Sequence, residues 1–294
     1  MGTLNLMVYR HSAFYSPLIA GIAGGFFAAE GFDPAYSVMQ PGKSVAEMLV
    51  SGAIHVSQSA VSAAWPFLEK RERPPFVSFA QINQRDGFAI ASRNPVPEFG
   101  WAKLTTGTFV YAHGGQPQAM LAYALHKKGV SLDRTAGKDA GDPQKSMAAF
   151  RTGTGDWYHE QAPYPQQLQH EGVAQVVASV GEVIGPVAFS SLVALPRWLG
   201  SPDAIRFVRA YRKARAWVQE TSAATVAATL QGFFPGIAPD AMLAAIRYYQ
   251  NLGCWAGDIA IDPAHYETAL DVFLHSKLIT RRHPYDKVIA PLPH

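Results

Sequence analysis

Several short segments of this chain carry side chains that could do chemistry, and their types suit holding a molecule better than breaking one. They are Arg10, His11, Phe14 and Tyr15; Gln40 and Lys43; Ser57 and Ser59; Asn83; His113, Gly114, Gly115 and Gln116; and Trp157, Tyr158 and Glu160. Phe14 and Tyr15 can sandwich a planar ring or cover an apolar tail, while the polar members offer hydrogen bonds. Arg10, Lys43 and the helix start near Gly115 would suit a sulfonate, carboxylate or phosphate, because free backbone N–H groups at a helix start favour anions. Phe14, Tyr15, Trp157 and Glu160 would suit a pyrimidine or other heterocycle, the carboxylate accepting from a ring amine. The balance leans towards the ring. For each polar residue taken singly a cap or surface role competes, and for Phe14 and Tyr15 core packing does. A histidine beside a carboxylate could act as a general base, and His11, His113 or His159 with Glu160 would be the candidates. The chain shows no Gly-x-Ser-x-Gly nucleophile motif, Walker loop or zinc-type Cys/His spacing, so no catalytic residue, metal ligand or cofactor is expected.

The elements that must position these residues can be read from periodicity. Leu4 to Tyr9 alternate as a strand, Pro17 opens a helix with Leu18, Ile19, Ile22 and Phe26 on one face, and Gly31 ends it. Ala35 to Met39 reads as a second strand, Val45, Met48 and Leu49 as a helix stopped at Gly52, and Ile54 to Ser57 as a third strand. This βαβαβ order predicts a parallel sheet with right-handed crossovers. Ligands of such sheets sit at the carboxyl ends of the strands, so Arg10 to Tyr15, Gln40 to Ser44 and Ser57 to Ser59 should line one mouth.

Further on, Phe76 to Ala80 and Gly87 to Ser92 read as strands, and the loop Asn94-Pro95-Val96-Pro97-Glu98 marks a shift in composition. Phe109 to Ala112 starts a new strand that ends in His113-Gly114-Gly115-Gln116-Pro117, before a helix carrying Met120, Leu121, Tyr123, Ala124 and Leu125. A loop and strand within 132–141 and a short helix around Met147 and Phe150 follow. Trp157 to Gln161 reads either as an interior strand whose Tyr, His, Glu and Gln need partners or as an exposed loop. Val173 to Val180 is a strand, and from Ser201 onward the pattern is helical, with Trp198, Trp217 and Trp255 as core or interface aromatics.

Ser16-Pro17-Leu18-Ile19-Ala20 runs into Gly24 to Phe32, then Gln40-Pro41-Gly42, Val45 to Leu49, Ser51-Gly52 and Ile54 to Ser59. That order resembles the start of the NMT1/THI5-like family of ABC-transporter substrate-binding proteins, of the sulfonate, nitrate and thiamine-precursor type. The resemblance implies an α/β, periplasmic-binding-protein-like fold of type II, two α/β lobes with a ligand cleft between them. Gly185 to Ala194 resembles the family's return segment into the first domain, and the helices after Ser201 match C-terminal helices that pack on that domain, so lobe I would be discontinuous, residues 1–90 plus 184–294, and lobe II residues 91–183. It implies a small-molecule ligand caught between hinged lobes and an ABC permease as partner. Where the family carries a Glu-Pro pair, this chain has Ala162-Pro163. Fungal members are pyrimidine-forming enzymes that hold pyridoxal phosphate on a lysine, but that lysine falls at Ser59, the accompanying histidine at Ala63, and Cys254 alone cannot form their cysteine cluster. A THI5-like enzyme lacking those groups and a cytosolic ligand sensor are the alternative readings.

At 294 residues, 48% hydrophobic and 16% charged, the chain can bury a sizeable core and is long enough for two domains. Its net charge of +3 is scattered, and Lys70-Arg71-Glu72-Arg73 reads as a solvated helix end, so no nucleic-acid partner is expected. No apolar run approaches the roughly 20 residues that cross a bilayer, and no membrane insertion is expected. One cysteine excludes an intrachain disulfide and leaves the redox compartment open. Met1 to Tyr9 reads as a strand rather than a secretory signal. The expected location is therefore periplasmic if an export signal has been removed, and cytoplasmic otherwise.

Overall fold

The computed structural model describes residues 2–294 and arranges ten strands in two five-stranded sheets. In chain order the strands are β1 Gly2–Val8, β2 Phe32–Val38, β3 Val56–Ser59, β4 Val77–Asn83, β5 Phe88–Ser92, β6 Thr108–Val110, β7 Ala136–Lys138, β8 Trp157–Gln161, β9 Gln175–Ser179 and β10 Ser190–Ala194. The first sheet runs β2-β1-β3-β10-β4 and the second β7-β6-β8-β5-β9. In the first, β1 pairs in parallel with β2 and β3, as the βαβαβ reading predicts. In the second, β6 pairs in parallel with β7 and β8. Each sheet also takes one antiparallel strand that has just arrived from the other: β10 between β3 and β4, and β5 between β8 and β9. The chain thus crosses between the sheets twice, through 84–87 and through 180–189.

Strand β1 alternates, with Leu4, Leu6 and Val8 on a fully buried face and Thr3, Asn5 and Met7 on the other, where only Met7 is buried. Leu4, Leu6 and Val8 join the main core with Leu18, Ile19 and Phe27, whereas Met7 joins Val45, Leu49 and Val193 on the other face. The expected single helix through Phe26 is instead two, Ser16–Ala23 and Phe26–Ala29. Gly25 between them has φ of +73°, a left-handed conformation that ends the first helix, and Phe27 then packs into the space beside Gly21. Strand β2 starts three residues earlier than periodicity suggests because the Gly2 N–H donates to the Gly31 carbonyl and fixes the register Gly2 to Phe32. A further helix, Val180–Ile184, follows β9 directly, its first turn capped by the Ser179 hydroxyl.

The C-terminal helices do not pack on the first sheet's layer alone. Helix Pro202–Glu220 lies along Ser16–Ala23 and Phe26–Ala29, but Pro239–Leu252 packs on Tyr164–His170 and Pro263–His275 on Gly115–Lys127, both helices of the second sheet. Helical periodicity identifies an apolar face without naming what covers it. Trp255 is buried and donates from Nε1 to the Phe14 carbonyl and to Asn83 Oδ1, while Trp198 and Trp217 are half-buried against Phe79, Phe207 and Phe26. The tail covers the outer edge of β4, with Ser78 exchanging backbone hydrogen bonds with Val288 and Ala290. Among the described residues no helix is long and apolar enough to cross a membrane.

The two crossover segments touch. A Cβ at Gly181 would fall well inside contact distance of the Asp86 carbonyl oxygen, a backbone atom that cannot swing aside. Gly181→Ala should therefore cost about 1–3 kcal/mol, the usual range for overpacking. Urea unfolding reads this directly, and an unchanged midpoint would show that the crossovers yield freely.

Candidate functional site

The loop that leaves β1 and the loop that leaves β8 meet between the sheets and are sewn together. Ser12 Oγ donates to the Ala162 carbonyl at 3.0 Å, the Ala13 N–H donates to the same oxygen at 3.2 Å, and the Tyr164 hydroxyl donates to the His11 carbonyl at 3.0 Å. Tyr249, from the C-terminal helix Pro239–Leu252, accepts from the Ala162 N–H and donates to the Gly87 carbonyl. Arg10 Nη1 donates to Glu160 Oε1 at 2.9 Å, with Glu160 1% exposed and the Arg10 side chain 21% exposed. Burial pushes the Glu160 carboxyl above the usual range, and the Arg10 charge and the Gln161 N–H oppose that rise.

His11 is held on both ring nitrogens. Phe233 O accepts from Nε2 at 2.6 Å, so Nε2 carries the hydrogen and Nδ1 accepts from the Tyr36 hydroxyl at 3.0 Å. Its ring stacks on Phe234 at 4.5 Å, and burial lowers its pKa, which keeps it neutral. Tyr15 is buried with its hydroxyl against Ser190 and Gln161, and burial raises its pKa. Gln116 ties the helix Gly115–Lys127 to the first sheet: its Nε2 donates to the Phe189 carbonyl and its Oε1 accepts from Ser62 Oγ, both at 2.9 Å. Arg10, His11, Tyr15 and Glu160 are thus brought to one junction, while Gln116 makes a separate tie through Phe189 and Ser62.

Other expected residues lie elsewhere. Phe14 is sealed in the core, its ring 5.3 Å from Phe189 and 5.1 Å from Tyr249 with Gly87 against its face. Asn83 is fully buried and holds Trp255. Ser57 donates back to main-chain carbonyls within the first sheet, and Ser59 faces Ser191 across the β3–β10 ladder. Trp157 is anchored by an Nε1 hydrogen bond to the Thr106 carbonyl, and Tyr158 packs on Phe150. Gln40 and Lys43 are exposed beyond the end of β2. His113 is exposed, 3.7 Å from Asp139 and stacked on Tyr111. Gly114 and Gly115 both have positive φ at the helix entry, where Gln118 folds back so that its Oε1 accepts from the Gly114 N–H. A groove of about 790 Å³ runs past this entry, between Gly114, Gly115, Gln118 and the segment His275 to Leu278.

His159 and Gln161 stand out beyond those residues. Both are buried on β8, and His159 Nδ1, His159 Nε2 and Gln161 Oε1 have no hydrogen-bond partner. The His159 ring stacks on Phe88 at 4.4 Å with an interplanar angle of 18° and meets the edge of Phe109. Burial pushes its pKa down to about 3, with the Arg10 charge adding to the effect. The signal in the sequence was the period of two: Trp157, His159 and Gln161 share one face of the strand, Tyr158 and Glu160 the other. His159 and Glu160 therefore cannot form a base-carboxylate pair. Among the described residues no three His, Cys, Asp or Glu side chains gather as a metal site. The chemistry available is hydrogen bonding by neutral groups around one internal ion pair.

Residues 9–232 match the family described as NMT1-like. The chain is 25% identical over 283 residues to YtlA, a candidate binding protein of Bacillus subtilis (strain 168), covering 95% of this chain and 85% of the relative. Among solved structures, the alkanesulfonate-binding protein SsuA of Xanthomonas axonopodis pv. citri aligns with a TM-score of 0.75 at 15% identity, over 99% of both chains. The ligand-binding component of an ABC-type import system from Staphylococcus aureus aligns with a TM-score of 0.77 at 12% identity, over 99% of this chain and 97% of the other. The fold is therefore that of the type II periplasmic solute-binding proteins.

Three outcomes follow from this geometry. Phe14→Ala should destabilise the fold by about 3–5 kcal/mol in urea unfolding, the range for emptying a buried aromatic position; a loss under about 1 kcal/mol would contradict the sealed packing. Arg10→Met should cost about 3 kcal/mol by stranding the Glu160 carboxylate, and adding Glu160→Gln should recover most of it. Asp86, buried in the first crossover with Oδ1 accepting from the Phe88 N–H and Oδ2 unpartnered, is pushed by burial up to about 8. The folded chain thus keeps a proton that the unfolded chain loses, so this contribution is complete below about pH 4 and is lost as pH rises through about 8. Unfolding of wild type and Asp86→Asn from pH 5 to 9 should show the wild type weakening relative to the variant; a constant difference would rule out a protonated Asp86.

Proposed function

The chain belongs to the NMT1-like family, and from that membership we propose that it is the solute-binding protein of an ABC importer. It captures a small organic molecule, a pyrimidine-like heterocycle of the thiamine-precursor kind or a sulfonate, and delivers it to a membrane permease. The lobes are those expected from the sequence, residues 1–90 and 184–294 for lobe I and 91–183 for lobe II, except that β5 belongs to the second sheet, so we place the first hinge at the crossover 84–87 and the second at 180–189. The observation that carries this reading is the junction itself. Loops leaving the carboxyl ends of β1 and β8, one from each sheet, converge on the Arg10–Glu160 pair, and Gln161 at the end of β8 keeps an unpaired Oε1. Such atoms are costly unless a guest or water satisfies them. The working location is the periplasmic or extracellular side, where importer binding proteins meet their solutes.

An enzymatic role has little chemical support here. Ser59 and Ala63 stand where the fungal enzymes have their lysine and histidine, and the thiol of Cys254 is buried, with its pKa raised by that burial. A thiol held in that state is a poor nucleophile.

A ligand that binds only the folded chain stabilises it by about 2.7 kcal/mol at a hundred times its Kd. In a thermal-shift screen of pyrimidines, sulfonates, nitrate, flavins and aromatic acids, at least one class should raise the melting temperature by a few degrees. Calorimetry should then give a single site per chain. A flat response to every class would sink the solute-binding reading, and turnover of a bound compound would replace it with an enzymatic one.

A further inference from the structure

We propose that the groove beside helix Gly115–Lys127 is a second binding site, one that takes a small amphipathic monocarboxylate and sets its head against His126, His275 and Lys277. None of the junction residues Arg10, His11, Tyr15 and Glu160 lines this groove, so the proposal stands apart from the solute-binding reading above.

The first support is the shape of the space. The groove holds about 790 Å³, within the roughly 300–1,000 Å³ that small-molecule sites occupy. Its floor is one face of the helix, where Ala119 and Ala122 leave room that larger side chains would fill, and Val130, Leu132 and Leu278 give it apolar walls. From Gly115 to His126 the helix rises about 16 Å, which accommodates an extended octyl chain. The turn that ends helix Pro263–His275 builds the far wall. Lys277 takes the left-handed conformation there, with φ of +55°, at the position where glycine is usual. Its N–H donates to the Leu274 carbonyl and the Leu278 N–H to the Phe273 carbonyl, which sets Lys277 and Leu278 side by side on the lining. A lysine in that conformation is held against a backbone preference that glycine lacks.

The second support is the disposition of charge at one end of the groove. His126 and His275, each in the last turn of its helix, face one another with ring centroids 4.4 Å apart and 33° between the planes. Lys277 is exposed beside them, and the acidic groups of the preceding helix, Glu267 and Asp271, are taken by Arg282. Lys127 donates to the Ile184 carbonyl, and Tyr123 meets the His275 ring edge-on. Asp133 is the acidic residue of the lining. Burial and the neighbouring ring lower the His275 pKa, so the imidazole pair holds at most one proton near neutral pH. That proton and the Lys277 ammonium, set against Asp133, leave a balance of one positive charge, which fits a monoanion better than a phosphate dianion. Rings this near to parallel do not aim their nitrogen lone pairs at one point, which disfavours a shared metal ion. A carboxylate has two oxygens and meets both rings, while its apolar chain lies along the alanine floor.

The test is calorimetric titration of the full chain with octanoate, acetate, octyltrimethylammonium and zinc, each at pH 6 and pH 8. Octanoate should bind at least tenfold more tightly than acetate, and its affinity should fall at least threefold from pH 6 to pH 8, the range in which histidine loses its charge. Lys277→Gln and His126→Gln, both at exposed positions, should each weaken octanoate at least fivefold and leave the melting temperature of the ligand-free protein unchanged. Octanoate binding that is the same in both variants would place the chain elsewhere, the junction included, and overturn the proposal, as would silence from octanoate. Equal affinity for octyltrimethylammonium would show a groove that reads apolar surface without charge, and an affinity indifferent to pH would take the histidines out of the site. Zinc bound by the wild type and lost in His126→Gln would make the imidazole pair a metal site instead. Each of these contrary results leaves the solute-binding function standing.

Discussion

The carboxylate of Glu160 lies on the central part of the second sheet, out of reach of water, and the cation that faces it comes from the first sheet. Arg10 extends from the loop after β1 to meet it at 2.9 Å. Neither charge could be left alone in that place, because an unpaired buried ion costs several kcal/mol. The relation between the two sheets is thereby constrained at one point, and the remaining hydrogen bonds of the junction gather around it. The Ala162 carbonyl receives Ser12 and Ala13, and its N–H is received by Tyr249. The resemblance to the family expects a carboxylate at position 162; here the backbone of Ala162 holds the loops together, and the acidic side chain two positions earlier meets Arg10.

Against this satisfied network the unpaired atoms of His159, Gln161 and Asp86 gain meaning. Protein interiors pair nearly all buried polar groups, so exceptions mark places where stability is given up for something else. Asp86 lies in the first crossover, pressed against the second at Gly181, while His159 and Gln161 lie on the strand whose end forms the junction. Other buried unpaired atoms, on Gln219, His265 and Ser276 among them, lie in or at the end of the C-terminal helices, so such groups are not confined to the joint between the sheets.

The C-terminal helices add a second tie. Pro202–Glu220 rests on the first sheet's helices, with the Arg215 guanidinium donating to the carbonyls of Ile82, Ala256, Gly257 and Asp258. Pro239–Leu252 and Pro263–His275 rest on helices of the second sheet, and the Ala238 N–H donates to Gln167. One continuous stretch of chain thus grips both halves on their outer side. Any motion at the crossovers must be accommodated by these contacts.

The sequence alone determined the class of fold. The βαβαβ order of the first 60 residues follows from local periodicity, which is written residue by residue, whereas the return segment before Ala194 comes from the family resemblance and Trp157 to Gln161 reads either as an interior strand or as an exposed loop. The sequence also placed Arg10, His11, Tyr15 and Glu160 at strand ends, where the structure brings them together, and Gln116 at a helix start, where it ties to Ser62 and Phe189. Tertiary structure alone decided which of the aromatic and polar candidates became packing. Phe14 and Tyr15 are adjacent and alike in type, yet Phe14 is closed in by Gly87, Phe189 and Tyr249 while Tyr15 reaches Ser190 and Gln161. It also decided that His159 goes unpaired while His11 is held on both nitrogens. Those outcomes depend on residues distant in the chain, and no local pattern encodes which distant side chain will arrive to fill a space or to leave a hydrogen bond open.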